Sequence, residues 1–290
     1  MIEAYFIHLL ILIGIYLILA LSLQLSIGYT GLLNLGHIAF YAIGAYTSAL
    51  LVMHGFPFWF AFIMAGILAA VSGMLLSLPT SKLKGDYLAL ATLAFTFVVY
   101  AVTLNWTGLT RGPLGLPGIP KPSFFGFVIA DNLHFLIFTL IIVGVTYLVM
   151  RRTVDSQFGK VLGAIRDDEL AARVMGKNAF LMKTYSLGIA AFFAGIAGSL
   201  YAHYITFIDP SSFTLMQLIP LLSIVIIAGL GTLNGTVLAT IILVLLPEPL
   251  RFIGFPSSIV GPARQILYAL ILLVILVFKP TGFYGKVNLD

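Results

Sequence analysis

The sequence has no cysteine and very few charged residues. None of its 290 residues is a cysteine, and only 9% are Asp, Glu, Lys or Arg. The first absence excludes disulfides, thiolate metal ligands and cysteine nucleophiles. The second excludes an ordinary water-facing surface, because soluble domains carry about 25% charged residues. Since 61% of the residues are apolar, we expect lipid to solvate most of the surface, and the net charge of +5 does not indicate a nucleic-acid partner.

The shortage of charge is most pronounced at the start of the chain, since residues 4–81 include no Asp, Glu, Lys or Arg. A membrane crossing needs roughly 20 apolar residues. The first apolar run has no basic residue before it and exceeds the core of a secretory signal, so we interpret it as a retained helix. Breaks in the apolar pattern predict nine spans, at about 5–27, 36–53, 58–78, 87–106, 132–150, 184–207, 215–230, 236–250 and 265–278.

These spans predict an all-α polytopic membrane protein. We expect a bundle of about 8–10 transmembrane helices that forms a single permease domain over residues 1–290. Residues 107–131 are rich in Gly and Pro, so they cannot form a regular spanning helix. We expect an external or partly embedded loop there.

The distribution of basic residues predicts the orientation. Residues 151–183 hold seven of the fifteen basic residues, and cytoplasmic loops carry the excess of Lys and Arg. Alternation of the spans then places four further basic residues inside: Lys82, Lys84, Lys279 and Lys286. The four that remain are placed outside: Arg111, Lys121, Arg251 and Arg264. The predicted N-terminus is outside and the C-terminus is cytoplasmic.

The charge-dense segment also has helical periodicity over residues 161–176. Its apolar residues Val161, Ile165, Ala172 and Met175 fall near one face of a single predicted helix. Glu169 precedes Arg173 by four residues, which is the favourable order for a helical ion pair, and Gly176 is a stop signal. The pattern leaves two alternatives open: a helix lying on anionic lipid, or a docking helix for another protein.

Small residues recur every four positions in the sixth span, at Ala190, Ala194, Gly198 and Ala202. Such a stripe lets helix backbones approach closely in lipid, where hydrophobicity alone cannot drive association. We therefore predict a packing face here.

Two Gly-rich interruptions, at 28–46 and 228–235, are candidates for broken backbone in the membrane. Such breaks are tolerated where protein or a water-filled cavity satisfies them, and transporters place substrate near them. The translocation-pathway candidates are polar residues. Asn34, His37 and Asn234 lie in these interruptions, and Thr92 and Thr96 lie one helical turn apart on the fourth span. The alternatives are an ordinary turn, a capping histidine, and threonines bonded to their own helix.

Several blocks of sequence stand in a fixed order along the chain: GYTGLLNLGHIAFYAIGAY (28–46), GDYLALATLAF (85–95), NWTGLTRGPLGLPGIP (105–120), GKVLGAIRDDELAARVMGKN (159–178), AAFFAGIAGSLYA (190–202) and AGLGTLNGTVLAT (228–240). Together they resemble the branched-chain amino acid permeases of ATP-binding-cassette (ABC) importers, and the LivM-like subunit in particular. The resemblance covers about residues 10–282.

This resemblance implies a subunit that imports leucine, isoleucine and valine across the prokaryotic cytoplasmic membrane. It also implies two ABC ATPase subunits, a second homologous permease and an external substrate-binding protein, which the 107–131 loop is a candidate to contact. The family's cytoplasmic loop has the pattern Glu-Ala-Ala, three further residues and then Gly. This sequence matches the pattern at Glu169, Ala171, Ala172 and Gly176, with Leu170 inserted after the glutamate. The expected ATPase-coupling residues are Arg166, Asp168, Glu169, Ala171, Ala172, Met175 and Gly176.

The chain has no G-x-x-x-x-G-K-[ST] phosphate loop, so we expect no ATP hydrolysis and no cofactor in this subunit. We expect no metal site either, because no His, Asp and Glu cluster has ligand spacing. A urea or short-amide importer is the alternative with the same blocks. An ion-coupled transporter would place charge in its spans, and the first three have none. Because intramembrane charges are scarce, we expect weak substrate binding in this chain.

Overall fold

The structure, a computed structural model, describes residues 2–80, 83, 85–124, 127–129, 131–249, 257–279 and 282–285. Helices make up most of these residues. Their bounds are α1 (Ile2–Gln24), α2 (His37–Met53), α3 (Phe58–Thr80), α4 (Asp86–Asn105), α5 (Thr107–Thr110), α6 (Asn132–Asp155), α7 (Gln157–Asp167), α8 (Glu169–Val174), α9 (Ala179–Ile205), α10 (Leu218–Ala228), α11 (Leu233–Leu245) and α12 (Ser257–Phe278).

Strands are confined to short pairs in the described residues. Strand β1 (Leu116–Pro117) pairs antiparallel with β4 (Phe207–Ile208), and β2 (Ser123–Phe124) pairs antiparallel with β3 (Phe127–Val128). The Gly- and Pro-rich loop thus contains no spanning helix in its described part, as predicted.

The prediction of an all-α membrane bundle is confirmed. Five helices are long and apolar enough to cross a membrane: α1 with its extension to Tyr29, α3, α4, α6 and α9. Shorter apolar helices occupy the positions of the other four predicted spans. In α4 and α6 only 28% of the apolar stretch is buried inside the bundle. Those helices expose large apolar side chains such as Phe97 and Ile141, a surface suited to lipid.

Helix α9 lies at the centre of the bundle, against α2 and α3. The predicted small-residue stripe is buried along its whole length. A Cβ atom at Gly198 would lie 2.1 Å from the carbonyl oxygen of Tyr41, and one at Gly195 would lie 2.5 Å from that of Ala65. Backbones meet without intervening side chains, so the stripe is a packing face, as predicted.

Two of the predicted spans are shorter in the structure. α10 has 11 residues and α11 has 13, and at ~1.5 Å per residue neither crosses a ~30 Å hydrocarbon core. The chain enters the bundle before α10 begins: Phe213 is buried, with its ring 5.2 Å from that of Tyr41 and 6.1 Å from that of Tyr201. The missed feature is therefore residues 209–217, a non-spanning segment that enters the bundle at Phe213 before α10 begins.

The bundle has two distinct ends. At the first, called here the α7 end, α1 and α10 end, α9 and α11 begin, and α7 packs. The start of α1 and the β1–β4 pair lie at the opposite end. Lys82, Lys84, Arg251 and Lys286, which entered the predicted orientation, lie outside the described residues.

Replacing Gly198 with Val tests the close packing of α9. The new side chain meets the α2 backbone, so we expect a loss of about 1–3 kcal/mol in stability, the usual cost of overpacking. The control is Gly144→Val on α6, where a Cβ meets nothing within 4 Å. Thermal unfolding of the two detergent-purified variants checks the difference, and equal midpoints would contradict the packing described.

Candidate functional site

The first interruption breaks the helix between α1 and α2. α1 ends in a π-helical turn at Leu25–Tyr29, a local geometry common at functional sites. Gly31 follows with a φ of +72°, which favours glycine because other residues are strained there. The backbone then runs without regular structure until α2 begins at His37. An irregular segment therefore separates the first two spans, and its position inside the membrane stays a prediction.

Threonines of α4 supply hydrogen bonds to this broken backbone. The amide of Leu35 donates to the Thr92 hydroxyl at 3.0 Å, and the Thr96 hydroxyl donates to the Leu35 carbonyl at 3.1 Å. The Thr92 hydroxyl also lies 2.9 Å from the carbonyl of Ala89 in its own helix. Both threonines thus support the break directly. Their role in translocation stays a prediction.

Asn34 is buried beside Thr92 at a very small cavity. Its side-chain oxygen accepts a hydrogen bond from the Gly36 amide at 3.0 Å. Its side-chain nitrogen is buried and has no partner among the described residues. The cavity that Asn34 and Thr92 line has a volume of about 20 Å³, which is room for one water molecule. The cavity beside Asn34 is therefore too small for an amino acid in this conformation.

The other two pathway candidates lie apart. His37 is fully buried at the first residue of α2, and its Nε2 lies 3.0 Å from the Ser22 hydroxyl of α1. This contact ties α2 to α1 across the break and is not a helix cap. Asn234 is exposed at the start of α11 and accepts a hydrogen bond from the Tyr147 hydroxyl of α6 at 2.6 Å. The structure does not bring Asn234 to the other candidates.

The second interruption, between α10 and α11, contacts the first. Gly229 and Gly231 have φ values of +93° and +78°. A Cβ atom at Gly28 would lie 2.6 Å from the amide nitrogen of Gly231. The Gln24 side-chain nitrogen donates to the Gly229 carbonyl at 2.7 Å. The two breaks are therefore one joined structure. Gln24 is the only amide side chain in α1, and this isolated polar residue is the sequence signal from which the contact could have been predicted.

The segment after α12 is attached to the same place. The amides of Phe283 and Tyr284 donate to the carbonyls of Ile227 and Ala228, at 2.9 and 3.2 Å. The last carbonyls of α10 are thus satisfied from outside the helix, as helix ends require.

The charge-dense segment folds as two helices, not as the predicted single helix over 161–176. Asp168 leaves the helical conformation, and its side chain accepts hydrogen bonds from the amides of Leu170 and Ala171 at 2.9 and 3.0 Å. Aspartate is a favoured N-cap, so it ends α7 and starts α8. Gly176 ends α8 as predicted, with a φ of +79°. The Gly176 and Lys177 amides bond to Arg173 and Ala172 carbonyls, which is a Schellman cap.

The end of α7 at Asp168 changes which apolar residues of this segment are buried. Ile165 and Ala172 are buried together, as predicted, against Ala179 of α9. Met175 is 67% exposed instead of buried, because the kink at Asp168 shifts the register of α8. Leu170 and Val174 are exposed as well, at 64% and 89%. α8 therefore presents an exposed apolar face, Leu170, Val174 and Met175, called here the α8 face.

Glu169 holds α8 against α9. It forms the predicted ion pair with Arg173, and it also accepts from the Lys183 ammonium of α9 at 2.6 Å. Its side chain is only 11% exposed, and buried or partly buried pairs are screened much less than exposed ones. Glu169 thus fixes the orientation of the α8 face from behind.

Arg166, near the end of α7, reaches the joined breaks. Its Nη1 donates to the Gly28 carbonyl at 2.8 Å. A Cβ at Gly231 would lie 3.3 Å from the same nitrogen, and one at Gly31 would lie 2.8 Å from the Arg166 Cγ. The side chain therefore connects the charge-dense segment to both interruptions. The sequence analysis gave Arg166 only as an expected ATPase-coupling residue and did not predict this contact.

The geometry is that of a membrane bundle with broken helices joined to an exposed two-helix segment. The family model for the permease component of branched-chain amino acid transport systems matches residues 5–278. The chain belongs to this family. No solved structure matches the permease.

Curated relatives of the permease are found in bacteria and archaea. It is 38% identical over 261 residues to the high-affinity branched-chain amino acid transport system permease protein LivM of Escherichia coli strain K12, and 37% identical to that of Salmonella typhimurium strain LT2. Each match covers 82% of this chain but 61% of the relative. The probable branched-chain amino acid transport permease protein LivM of Methanocaldococcus jannaschii is 27% identical, over 93% of this chain and 90% of the relative.

Replacing Arg166 with Ala tests the connection between α7 and the breaks. The Gly28 carbonyl loses a charged donor, which is worth about 1.5–3 kcal/mol, so we expect amides of residues 28–35 and 229–232 to exchange about tenfold faster or more. Hydrogen–deuterium exchange of the purified permease measures this. Arg173→Ala, which removes an exposed partner of Glu169, is the control, and equal protection in both variants would contradict the connection.

Proposed function

We propose that the chain is a membrane-spanning subunit of an ABC importer that carries branched-chain amino acids across the cytoplasmic membrane by alternating access. One observation carries the proposal: the α8 face is exposed on a segment that Arg166 connects to the two helix breaks. Family membership and the names of the relatives support the substrate class. They give no support to the alternatives of urea or short amides, or of an ion-coupled transporter.

The α8 face is the proposed docking surface for an ABC ATPase subunit. Apolar side chains exposed together next to charged ones are typical of protein contact sites. Met175 and Gly176 lie on this proposed surface with Ala171, which is exposed, whereas Ala172 and Glu169 hold it from behind. Asp168 orients it by capping α8. The residues expected to couple thus divide into a contacting set and a supporting set.

Motion of α7 and α8 would pass to the membrane through Arg166. The joined breaks at Gly28 and Gly231 meet backbone to backbone, so a shift of one must move the other. Discontinuous helices allow such changes without loss of backbone hydrogen bonds at membrane depth. In this mechanism ATP-driven closure of the partner subunits displaces α8, and the small cavity beside Asn34 opens to admit substrate.

The α7 end is the proposed cytoplasmic side. Most described basic residues lie there: Arg151, Arg152, Lys160, Arg166, Arg173, Lys177, Lys183 and Lys279. At the opposite end the described ones are Arg111, Lys121 and Arg264. The positive-inside rule then assigns the N-terminus to the exterior and the end of α12 to the cytoplasm.

The remaining partners are part of the same proposal. ATP hydrolysis belongs to two separate subunits, because this sequence carries no phosphate loop, and the permease itself uses no cofactor. A second homologous permease completes the membrane part. An external binding protein docks on the loop at 107–131, which β1 and β4 brace against the end of α9. The specificity of import resides chiefly in that protein.

Val174→Glu tests the docking surface. The charge replaces an apolar contact without a partner, and an unpaired charge at an interface costs several kcal/mol, so we expect the ATPase to be lost from the complex. The matched control is Leu114→Glu at the opposite end, where the side chain is 75% exposed. Co-purification of the ATPase subunits with each variant decides. The docking proposal fails if Val174→Glu retains the ATPase as the control does.

A further inference from the structure

An ion pair lies in the wall of a cavity near the outer ends of the helices. The Arg264 guanidinium of α12 donates through Nη2 to the Glu248 carboxylate at 3.1 Å. The Glu248 side chain is 15% exposed and that of Arg264 is 34% exposed. The Tyr5 hydroxyl of α1 donates to the other Glu248 oxygen. The sequence placed Arg264 among the outside basic residues and did not predict its pairing with Glu248.

The pair is an expensive feature in this chain. Taking a carboxylate and a guanidinium even partly out of water is costly, and apolar residues of similar volume often replace a buried pair without loss of stability. Ionisable residues within membrane segments are therefore functional candidates by default, with their partner named. None of the proposed roles of the permease uses Glu248 or Arg264.

The guanidinium offers more donors than Glu248 takes. Arg264 Nε is buried and has no hydrogen-bond acceptor among the described residues. Carboxylates bind guanidinium groups best through two parallel N–H groups, and Glu248 accepts through Nη2 alone. The Nε–H group of Arg264 is therefore available, among the described residues, to bind a second anionic oxygen.

The cavity beside the pair has aliphatic walls. Its volume is about 130 Å³, and α1, α10 and α11 contribute Leu9, Leu12, Ile224 and Leu243 to its lining. Leu12 and Tyr16 also line a neighbouring cavity of about 240 Å³ between α1, α2 and α9. The two cavities extend from the charged pair toward the middle of the bundle.

We propose that Glu248 and Arg264 form a transient site for a zwitterionic amino acid, Glu248 holding the ammonium group and Arg264 the carboxylate, with the aliphatic side chain against Leu9, Leu12 and Leu243. This inference rests on the proposed function, which it deepens by assigning the residues that receive the substrate. The charges balance: an amino acid separates the pair but leaves each ion with an opposite charge. A neutral amide, a carboxylate without an ammonium group, or an amine without a carboxylate leaves one charge uncompensated.

The absence of cysteine makes occupancy of the site measurable. In the complete importer in proteoliposomes, Leu12→Cys is the single thiol of this chain, and the rate of its modification by a small thiol reagent reports access to the cavity. We expect millimolar leucine to slow the modification about tenfold. Leucinamide and isocaproate, which each lack one charge, are expected not to slow it. A thiol at Lys177, which is exposed on the far side, is the control that leucine leaves unprotected.

Two double variants separate a substrate site from a structural ion pair. In Glu248→Gln/Arg264→Gln, leucine protection of the thiol should disappear while the ATPase stays bound. The charge-exchanged Glu248→Arg/Arg264→Glu should keep the ion pair and its thermal stability but not the protection. In this variant the binding positions for the ammonium and the carboxylate are exchanged, so the side chain of leucine no longer points toward Leu9, Leu12 and Leu243. The proposal is overturned if the neutral variant retains protection, if the exchanged variant restores it, or if leucinamide and isocaproate protect the native site equally.

The same preparation separates this inference from the proposed function. ATP-dependent leucine uptake without protection of the thiol would contradict the proposed substrate site and leave the proposed importer function standing. Protection of the thiol without any ATP-dependent uptake would contradict the importer function and leave the substrate site standing.

Discussion

The contact between Gly28 and Gly231 is the constraint on which the rest of the arrangement depends. Two interrupted helices meet there so closely that a single Cβ would displace backbone. Backbone groups buried inside a bundle need hydrogen-bond partners, and each break finds them in neighbouring elements: Thr92 of α4 for the first and Gln24 of α1 for the second. Neither interruption is a local irregularity, since each is built into the packing of the other.

This constraint connects the membrane part to the charge-dense segment. Arg166 donates to Gly28, Asp168 turns the chain to start α8, and Glu169 fixes α8 on α9. These polar contacts join α7 and α8 to the first break and to α9, and they are the path that the proposed mechanism uses. The Glu248–Arg264 pair lies at the other end of the same helices, α1 and α11, that carry the breaks. The proposed ATPase contact and the proposed substrate site are thus connected to shared helices.

Much of the fold follows from the sequence because lipid imposes simple rules. Apolar length located the helices, and the stripe with Gly198 predicted a packing face, which the structure places at the centre of the bundle. The failures arose where one side chain overrides periodicity: the Asp168 cap split a predicted helix and exposed Met175. The dip at Phe213 and the ion pair of Glu248 with Arg264 join residues distant in sequence, which no local pattern contains. The roles of Asn34, His37 and Asn234 in translocation, and the extent of a single domain over residues 1–290, stay predictions.

The most direct test of the account is whether α7 and the joined breaks move as one body. Spin labels on cysteines introduced at Lys160 of α7 and at Tyr284, which is bonded to the end of α10, report the distance between them, and a pair at Lys160 and Leu114 reports movement relative to the opposite end. In the assembled importer, ATP binding should change the Lys160–Leu114 distance and leave the Lys160–Tyr284 distance unchanged. A change in Lys160–Tyr284 as large as that in Lys160–Leu114 would contradict the account.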